Sequence, residues 1–183
     1  MTDTLSRALV HTLLQHAEDL PWRMNDIGLM GLRLDDRREC RLHVWDPGSS
    51  VGEPPVHDHP YGFTSTVIAG ELTNTRFEED PSGDEYVRFR YRPGAEEGRR
   101  SDRVRLSSTP TTLIEGDVYG QLAHELHTSA QRPGTVTAIR CDWVETSELT
   151  VCLRDGASWR SGQGRDATRQ EIRRISAMAL EWF

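Results

Sequence analysis

The chain has 183 residues, of which 36% are hydrophobic and 28% charged, and its formal net charge is −7. All 22 basic residues are arginines, which excludes chemistry that needs a lysine, such as a Schiff base or a phosphate-binding lysine loop. The negative charge argues against a general nucleic-acid-binding protein, because affinity for phosphate backbones depends on concentrated positive charge. This length suits one domain with a single core.

Several features predict a cytoplasmic protein without a membrane partner. No apolar run approaches the roughly 20 residues that span a bilayer. Residues 1–4 lack the basic start and apolar stretch of a secretory signal. Cys40, Cys141 and Cys152 are an odd number of cysteines with no CxxC pair, so we expect reduced thiols rather than disulfides.

The first predicted element is a helix near the N-terminus. Asp3 or Thr4 can cap it, and Pro21 stops it. We expect this helix to pack on the outside of a sheet. Its apolar residues at helical spacing are Leu5, Leu9, Leu13 and Ala17.

From Met30 onward the pattern changes to short apolar or alternating runs separated by glycine, proline and aspartate, which is typical of an antiparallel barrel or sandwich. Residues 81–84 look like a hairpin turn, and residues 93–101 like an exposed loop. The predicted strands are Gly31–Leu34, Arg41–Trp45, Phe63–Ile68, Glu71–Phe77, Glu85–Tyr91, Val104–Ser107, Thr111–Glu115 and Thr135–Val144.

A second helix is predicted near the end of the sequence. Asp166 or Thr168 can cap it, and one face carries an apolar stripe. The stripe consists of Ile172, Ile175, Ala179 and Trp182. We therefore expect one domain over residues 1–183, with an N-terminal helix in 1–22, a β-barrel in 30–155 and a C-terminal helix in 166–183.

The tripeptide His57-Asp58-His59 is the most informative feature of the sequence. In an extended chain His57 and His59 point to the same side, while Asp58 points away. A third imidazole, from His127, would complete a set suited to Fe, Zn, Cu or Ni with coordination positions left open. His124 could replace His127 as a ligand or hydrogen-bond to it.

The spacing of these histidines resembles the two motifs of the cupin superfamily, Gly-x5-His-x-His-x3,4-Glu-x6-Gly and Gly-x5-Pro-x-Gly-x2-His-x3-Asn. His57, His59 and Gly70 stand at positions of the first motif, with Phe63 in place of its Glu. His127 stands at the His of the second. The resemblance implies an antiparallel, jelly-roll-like barrel and a metal held by the three histidines.

Two further residues of this chain differ from the second cupin motif. Counting from Gly116, His124 stands where that motif has its second Gly, and Gln131 stands where it has Asn. The first Gly of the first motif is displaced, because Val51 occupies its place and Gly52 follows one residue later.

A narrower resemblance is to the thiol dioxygenases, cupins that hold ferrous iron with three histidines and no carboxylate. The segments 42–48, 57–59 and 67–72 resemble that family's strand, ligand segment and turn. The resemblance implies Fe(II), O2 and a small thiol substrate. The cysteine that crosslinks to a tyrosine in the animal enzymes would fall near Thr64, and no cysteine lies there.

Substrate-orienting residues are sought among polar side chains that alternate along the strands. Arg41 and His43 share one strand face, and Arg140 alternates with Ile139 on a later strand. If these faces line the interior, an arginine could bind a carboxylate and His43 could act as acid, base or hydrogen-bond donor. If not, the arginines lie in water. Further candidates are Arg33, from the resemblance, and Tyr61 and Tyr119 as phenols beside the metal.

The favoured function is an Fe(II) cupin dioxygenase that oxidises a small thiol-type or carboxylate-bearing substrate with O2. One alternative is a Zn or Ni cupin in non-redox biosynthetic, isomerase or lyase chemistry, because three histidines accommodate those metals equally well. Another is a ligand-binding or sensory cupin without catalysis.

The resemblance also implies a homodimer paired through sheet edges. The sequence leaves open whether residues 78–105 cover the barrel mouth.

Overall fold

The computed structural model describes residues 5–35, 40–50, 54–92, 98–143, 148–157, 159 and 164–183. Over these residues the chain forms twelve β-strands, two α-helices and one short 3-10 helix. The strands are β1 (Arg23–Met24), β2 (Ile27–Arg33), β3 (Cys40–Ser50), β4 (Val56–His57), β5 (Tyr61–Ala69), β6 (Glu71–Tyr91), β7 (Arg99–Ile114), β8 (Val118–Gln121), β9 (Leu126–Gln131), β10 (Val136–Trp143), β11 (Leu149–Leu153) and β12 (Arg165–Asp166). The helices are α1 (Arg7–Gln15), α2 (Arg169–Leu180) and the 3-10 helix Ala17–Asp19.

The strands form two antiparallel sheets, so the fold is mainly β, as predicted. The larger sheet has seven strands in the order β12-β1-β2-β3-β10-β5-β8. The smaller sheet has five strands in the order β11-β4-β9-β6-β7, with an additional pairing of β11 with β6. The two predicted helices are present, one near each end of the chain.

Both helices pack against the outer face of the seven-stranded sheet, as expected for the N-terminal one. Side chains alternate along β2 and β3, so Met30 and Val44 face the helices while their neighbours face the opposite side. Val10 of α1 and Ile175 of α2 are fully buried in the same apolar cluster. This layer leaves the inner face of the sheet free to form a cavity with the five-stranded sheet.

Helix α1 begins later than predicted. Its N-cap is Ser6, whose hydroxyl accepts the backbone N–H of Leu9 at 3.2 Å, while the predicted caps Asp3 and Thr4 lie outside the described residues. The buried residues of α1 are Val10 and Leu14, and Leu9 is 48% exposed. The predicted apolar face was therefore wrong at Leu9, because the helix presents the neighbouring stripe to the sheet.

Helix α2 confirms its prediction closely. Thr168 is the N-cap, and it forms a capping box with Glu171 in which each side chain bonds the other residue's backbone N–H. Ile172, Ile175 and Ala179 are buried, as the stripe predicted, whereas Trp182 lies beyond the last helical residue and is only partly buried. No helix in the described part of the chain is both long and apolar enough to cross a bilayer.

In two places the structure joins two predicted strands into one continuous strand. Strand β6 runs through the predicted turn at residues 81–84, which instead form a bulge where Glu79 and Asp84 both pair with Leu106. Strand β7 likewise runs through Pro110, which an edge strand tolerates. The predicted loop at 93–101 was wrong at residues 99–101, which belong to β7. Residues 93–97 lie outside the described residues.

Candidate metal centre

Three imidazoles converge where β4 meets β9. His57 ends β4 and pairs directly with His127 of β9, and His59 follows two residues after His57. One ring nitrogen from each histidine lies within 4.8 Å of the other two. The Nε2 atoms of His59 and His127 are 2.9 Å apart. The structure thus brings together the three histidines that the motif spacing selected.

Two of these histidines have their tautomers fixed by hydrogen bonds. Nδ1 of His57 lies 2.9 Å from the carbonyl oxygen of Pro55, and Nδ1 of His127 lies 2.9 Å from Oδ1 of Asn74. These oxygens can only accept, so Nδ1 donates in both rings. The Nε2 lone pairs of His57 and His127 are therefore available as ligands.

Two of the three donor nitrogens already lie at a separation that one metal ion can bridge. Two nitrogens that bind one ion at about 2.0–2.1 Å and at right angles are about 2.9 Å apart. His59 and His127 have this separation between their Nε2 atoms. Three neutral imidazoles suit Fe, Zn, Cu or Ni. The three histidines can therefore hold a metal ion, and several metals match the site.

The site also keeps its histidines neutral. Loss of solvation is the largest cause that lowers the pKa of each of the three imidazoles. For His59 the pKa falls well below its usual value, with further lowering by His57 and His127. Since a metal binds only the unprotonated ring nitrogen, a depressed pKa leaves the ligands ready at neutral pH.

Asn74 of β6 holds the third histidine, and the motif analysis missed it. Its Oδ1 accepts from His127 Nδ1 and from Ser129 Oγ at 3.2 Å. Its amide nitrogen donates to Oε1 of Gln121 at 3.5 Å. Asn74 is buried on the same face of β6 as Leu72, but the alternation continues with the exposed Arg76, so the sequence pattern gave no signal for it.

Asp58 faces away from the three histidines, as its position between them predicted. Its Oδ1 accepts the backbone N–H of Thr150 at 2.7 Å, and its own N–H donates to the Thr150 carbonyl at 3.1 Å. Its Oδ2 lies 3.4 Å from Nδ1 of His124. The structure therefore places His124 against Asp58 and outside the three-histidine group, where it does not replace His127 as a ligand.

A cavity of about 200 Å³ lies between the two sheets beside the histidines. Strands β2, β3, β5, β8 and β10 line it on one side, and β4 and β9 on the other. Tyr61 stacks on His59 with ring centres 5.1 Å apart. The Tyr61 hydroxyl lies 3.4 Å from Nη1 of Arg41. Arg41, Tyr61 and His59 thus form a continuous row along the wall.

His43 lies on the same wall, as the alternation of β3 indicated. It is buried, and this burial, followed by the charge of Arg41, lowers its pKa to about 3. Its Nδ1 has no hydrogen-bond partner among the described residues. His43 is therefore a neutral imidazole at physiological pH with a polar atom available to a bound molecule.

The remaining predicted residues divide between the cavity and the surface. Tyr119 lines the cavity, and burial raises its pKa. Arg33 is exposed at the end of β2, in an outer pocket of about 440 Å³ that shares Arg41 and His43 with the cavity. Arg140, predicted as a substrate-binding or catalytic residue, does not line the cavity: Ile139 takes the cavity side of β10, and Arg140 lies outside, 54% exposed, beside Asp142.

Phe63 occupies the place where the first cupin motif has its Glu. Its buried ring lies 5.7 Å from the ring centre of His59 and 5.9 Å from that of His127. An apolar side chain there provides no negative charge. Within the described residues, the ligand group therefore contains three histidines and no carboxylate.

No protein-family model and no curated protein sequence matches this chain. The two-sheet, mainly β fold and the His57, His59 and His127 group are compatible with a cupin. The site's own geometry therefore provides the argument for function.

Proposed function

We propose that this protein is a cupin-type mononuclear iron(II) dioxygenase that oxidises a small thiol bearing a carboxylate. The observation that carries the proposal is the group of three neutral imidazoles without a carboxylate, next to a cavity that contains Arg41. When bound, iron supplies the redox chemistry and leaves coordination positions open for the thiolate and for dioxygen. Both atoms of O2 enter the product, so RSH and O2 give the sulfinic acid RSO2H.

The charge of the site favours an anionic substrate. Three neutral ligands leave a divalent ion uncompensated, and the guanidinium of Arg41 adds a further positive charge nearby. A substrate with a thiolate at one end and a carboxylate at the other would neutralise both. The cavity of about 200 Å³ is smaller than the roughly 300–1,000 Å³ of typical ligand pockets, so the substrate is small.

Arg41 is the group that would bind the carboxylate. Tyr61 holds its guanidinium from one side, through the contact of Nη1 with the hydroxyl and through the ring face 5.3 Å away. The buried Tyr61 phenol has a raised pKa, so it stays protonated and can donate a hydrogen bond to substrate or dioxygen.

His43 serves as a hydrogen-bonding group. With a pKa of about 3 the ring is not an imidazolium at neutral pH, so it is neither a ready acid nor an effective base there. Its neutral ring can still orient the substrate from the wall of β3. We therefore assign His43 to substrate positioning, in place of the acid or base role considered from sequence.

The outer pocket would guide anions toward the cavity. Arg23, Arg33 and Arg41 line it, and it meets the cavity at Arg41 and His43. On a chain of net charge −7, a pocket lined by three arginines, of which Arg23 is paired with Asp166, gives anions a local attraction.

The test is reconstitution under anaerobic conditions with iron, zinc or nickel separately, followed by oxygen uptake with thiols that differ only in the presence of a carboxylate. We expect oxygen uptake with iron alone, with one O2 consumed per thiol. Arg41→Gln should raise KM at least tenfold for the carboxylate thiols and less for the others. Arg140→Gln, which removes an arginine from the outer face, is the matched control.

Two outcomes would replace the proposal. Turnover with zinc or nickel but not with iron would establish non-redox chemistry at the three histidines. Tight binding of small anions without turnover of any thiol would make the protein a binding or sensory module.

A further inference from the structure

The segment that carries His57 and His59 is held largely by contacts from other parts of the chain. Strand β4 ends at His57, so Asp58 and His59 lie beyond it. The Asp58 N–H donates to the Thr150 carbonyl at 3.1 Å, and the His59 carbonyl accepts the N–H of His124 at 3.1 Å. The position of His59 therefore depends directly on the backbone of His124.

His124 has an unusual backbone conformation. Its φ is 66°, and the other described residues with positive φ are glycines. A side chain is disfavoured in this left-handed region, where glycine carries no such penalty. Position 124 is also where the second cupin motif has a Gly. A histidine here is locally unfavourable, so a contact elsewhere must offset it.

The ring of His124 makes that contact. Its Nδ1 lies 3.4 Å from Oδ2 of Asp58, whose side chain is 3% exposed, and the other carboxylate oxygen accepts the Thr150 N–H at 2.7 Å. Asp58 lies between His57 and His59 in sequence. The ring of His124 therefore reaches the middle of the segment that carries two of the three histidines.

The turn that contains His124 also leads directly to His127. The Leu122 N–H donates to Oε2 of Glu125 at 2.8 Å, and Gln121 Nε2 donates to the Glu125 carbonyl at 3.0 Å. Gln121 in turn contacts Asn74, which accepts from His127. The turn is thus fixed on the side of the third histidine.

We propose that His124 is a positioning residue for the three-histidine site. Its backbone N–H and its ring fix the segment of His57 and His59 against the turn that precedes His127. This sets the separation of the His59 and His127 nitrogens. The inference rests on the proposed metal site and assigns His124 no direct bond to the metal.

The test is His124→Gly in the full chain. Glycine keeps the backbone N–H, suits the left-handed conformation and removes only the ring. Three quantities are measured: the affinity for Co²⁺ alone by competition with a chromophoric chelator, the absorption spectrum of the Co²⁺-loaded protein, and the thermal midpoint of the metal-free protein. We expect at least tenfold weaker affinity and an altered spectrum, with a metal-free midpoint equal to or above that of the wild type.

Two further variants sharpen the result. His124→Asn tolerates the left-handed conformation and keeps a donor, so it should recover part of the affinity. His16→Ala removes an exposed histidine from the end of α1 and should leave affinity unchanged. If the wild type binds no Co²⁺, the metal site itself fails. Wild-type affinity in His124→Gly, or a loss of affinity matched by a lower metal-free midpoint, would overturn the positioning role alone.

Discussion

His43 illustrates how burial sets the protonation of a single side chain in this protein. In the folded chain its pKa is about 3, because burial and then Arg41 disfavour the charged ring. In the unfolded chain the pKa of a histidine is about 6.5. Between these values the unfolded chain binds a proton that the folded chain does not. The contribution of His43 to the free energy of unfolding is therefore complete above about pH 6.5, and it decreases as the pH drops below that value.

Replacing His43 by glutamine should weaken this pH dependence. We expect the wild type to lose stability between pH 7 and pH 5, and His43→Gln to lose less, by up to about 1.4 kcal/mol per pH unit. Urea unfolding across this range gives the free energy of unfolding at each pH. The slope of that free energy against pH is then compared between the wild type and His43→Gln. His16→Gln, at an exposed histidine, is the control. An unchanged slope in His43→Gln would mean that His43 takes up a proton in the folded state.

Motif spacing selected the three clustered histidines, but not the groups that orient them. The Nδ1 partner of His127 is Asn74, more than fifty residues away in sequence, and their meeting depends on the register of β6 with β9. The side of β10 taken by Arg140 likewise depends on tertiary packing. An alternating sequence pattern shows that a strand has two different faces, but it does not show which face points into the interior. This is why the sequence did not single out Asn74 and could not tell that Arg140 lies on the outer side of β10.

The pairing of β6 with β7 shows how long-range pairing overrides a local turn signal. Asp80 does form a tight local bend, in which its side chain accepts the Ser82 N–H at 2.8 Å and the Ser82 hydroxyl at 2.7 Å. The bend becomes a bulge because β7 pairs with β6 on both sides of it. Turn chemistry predicted the bend correctly, but only the partner strand decides whether the chain reverses or continues.

Gly83 should be essential to this bulge. A Cβ at Gly83 would lie 2.3 Å from the carbonyl carbon and oxygen of Leu106, so the backbone of one strand must move. We expect Gly83→Ala to cost about 1–3 kcal/mol in the free energy of unfolding, the usual range for overpacking. Gly120→Ala is the matched control, since its Cβ would meet only the Phe63 carbonyl oxygen at 3.6 Å. Equal urea midpoints for the two variants would show that β6 and β7 are not held together at Gly83.

At the scale of the whole molecule, the three histidines lie where the two sheets approach each other. His57 and His127 belong to the five-stranded sheet, whereas His59 leads within two residues into β5 of the seven-stranded sheet. The helices cover the other face of the seven-stranded sheet. A bound ion would therefore join the sheets on the side that the helical core does not reach.

Metal binding should accordingly stabilise the whole fold. An ion that binds the folded chain and not the unfolded one adds about 2.7 kcal/mol to the free energy of unfolding at a free concentration one hundred times Kd. We expect this increment for the wild type on titration with Zn²⁺ or with Fe²⁺ under anaerobic conditions, and its loss on adding a chelator. His57→Ala and His127→Ala should lose most of the increment, while His16→Ala should keep it. Because each variant is compared with its own metal-free form, any change in basal stability cancels. A full increment in His127→Ala would place the stabilising ion elsewhere on the chain.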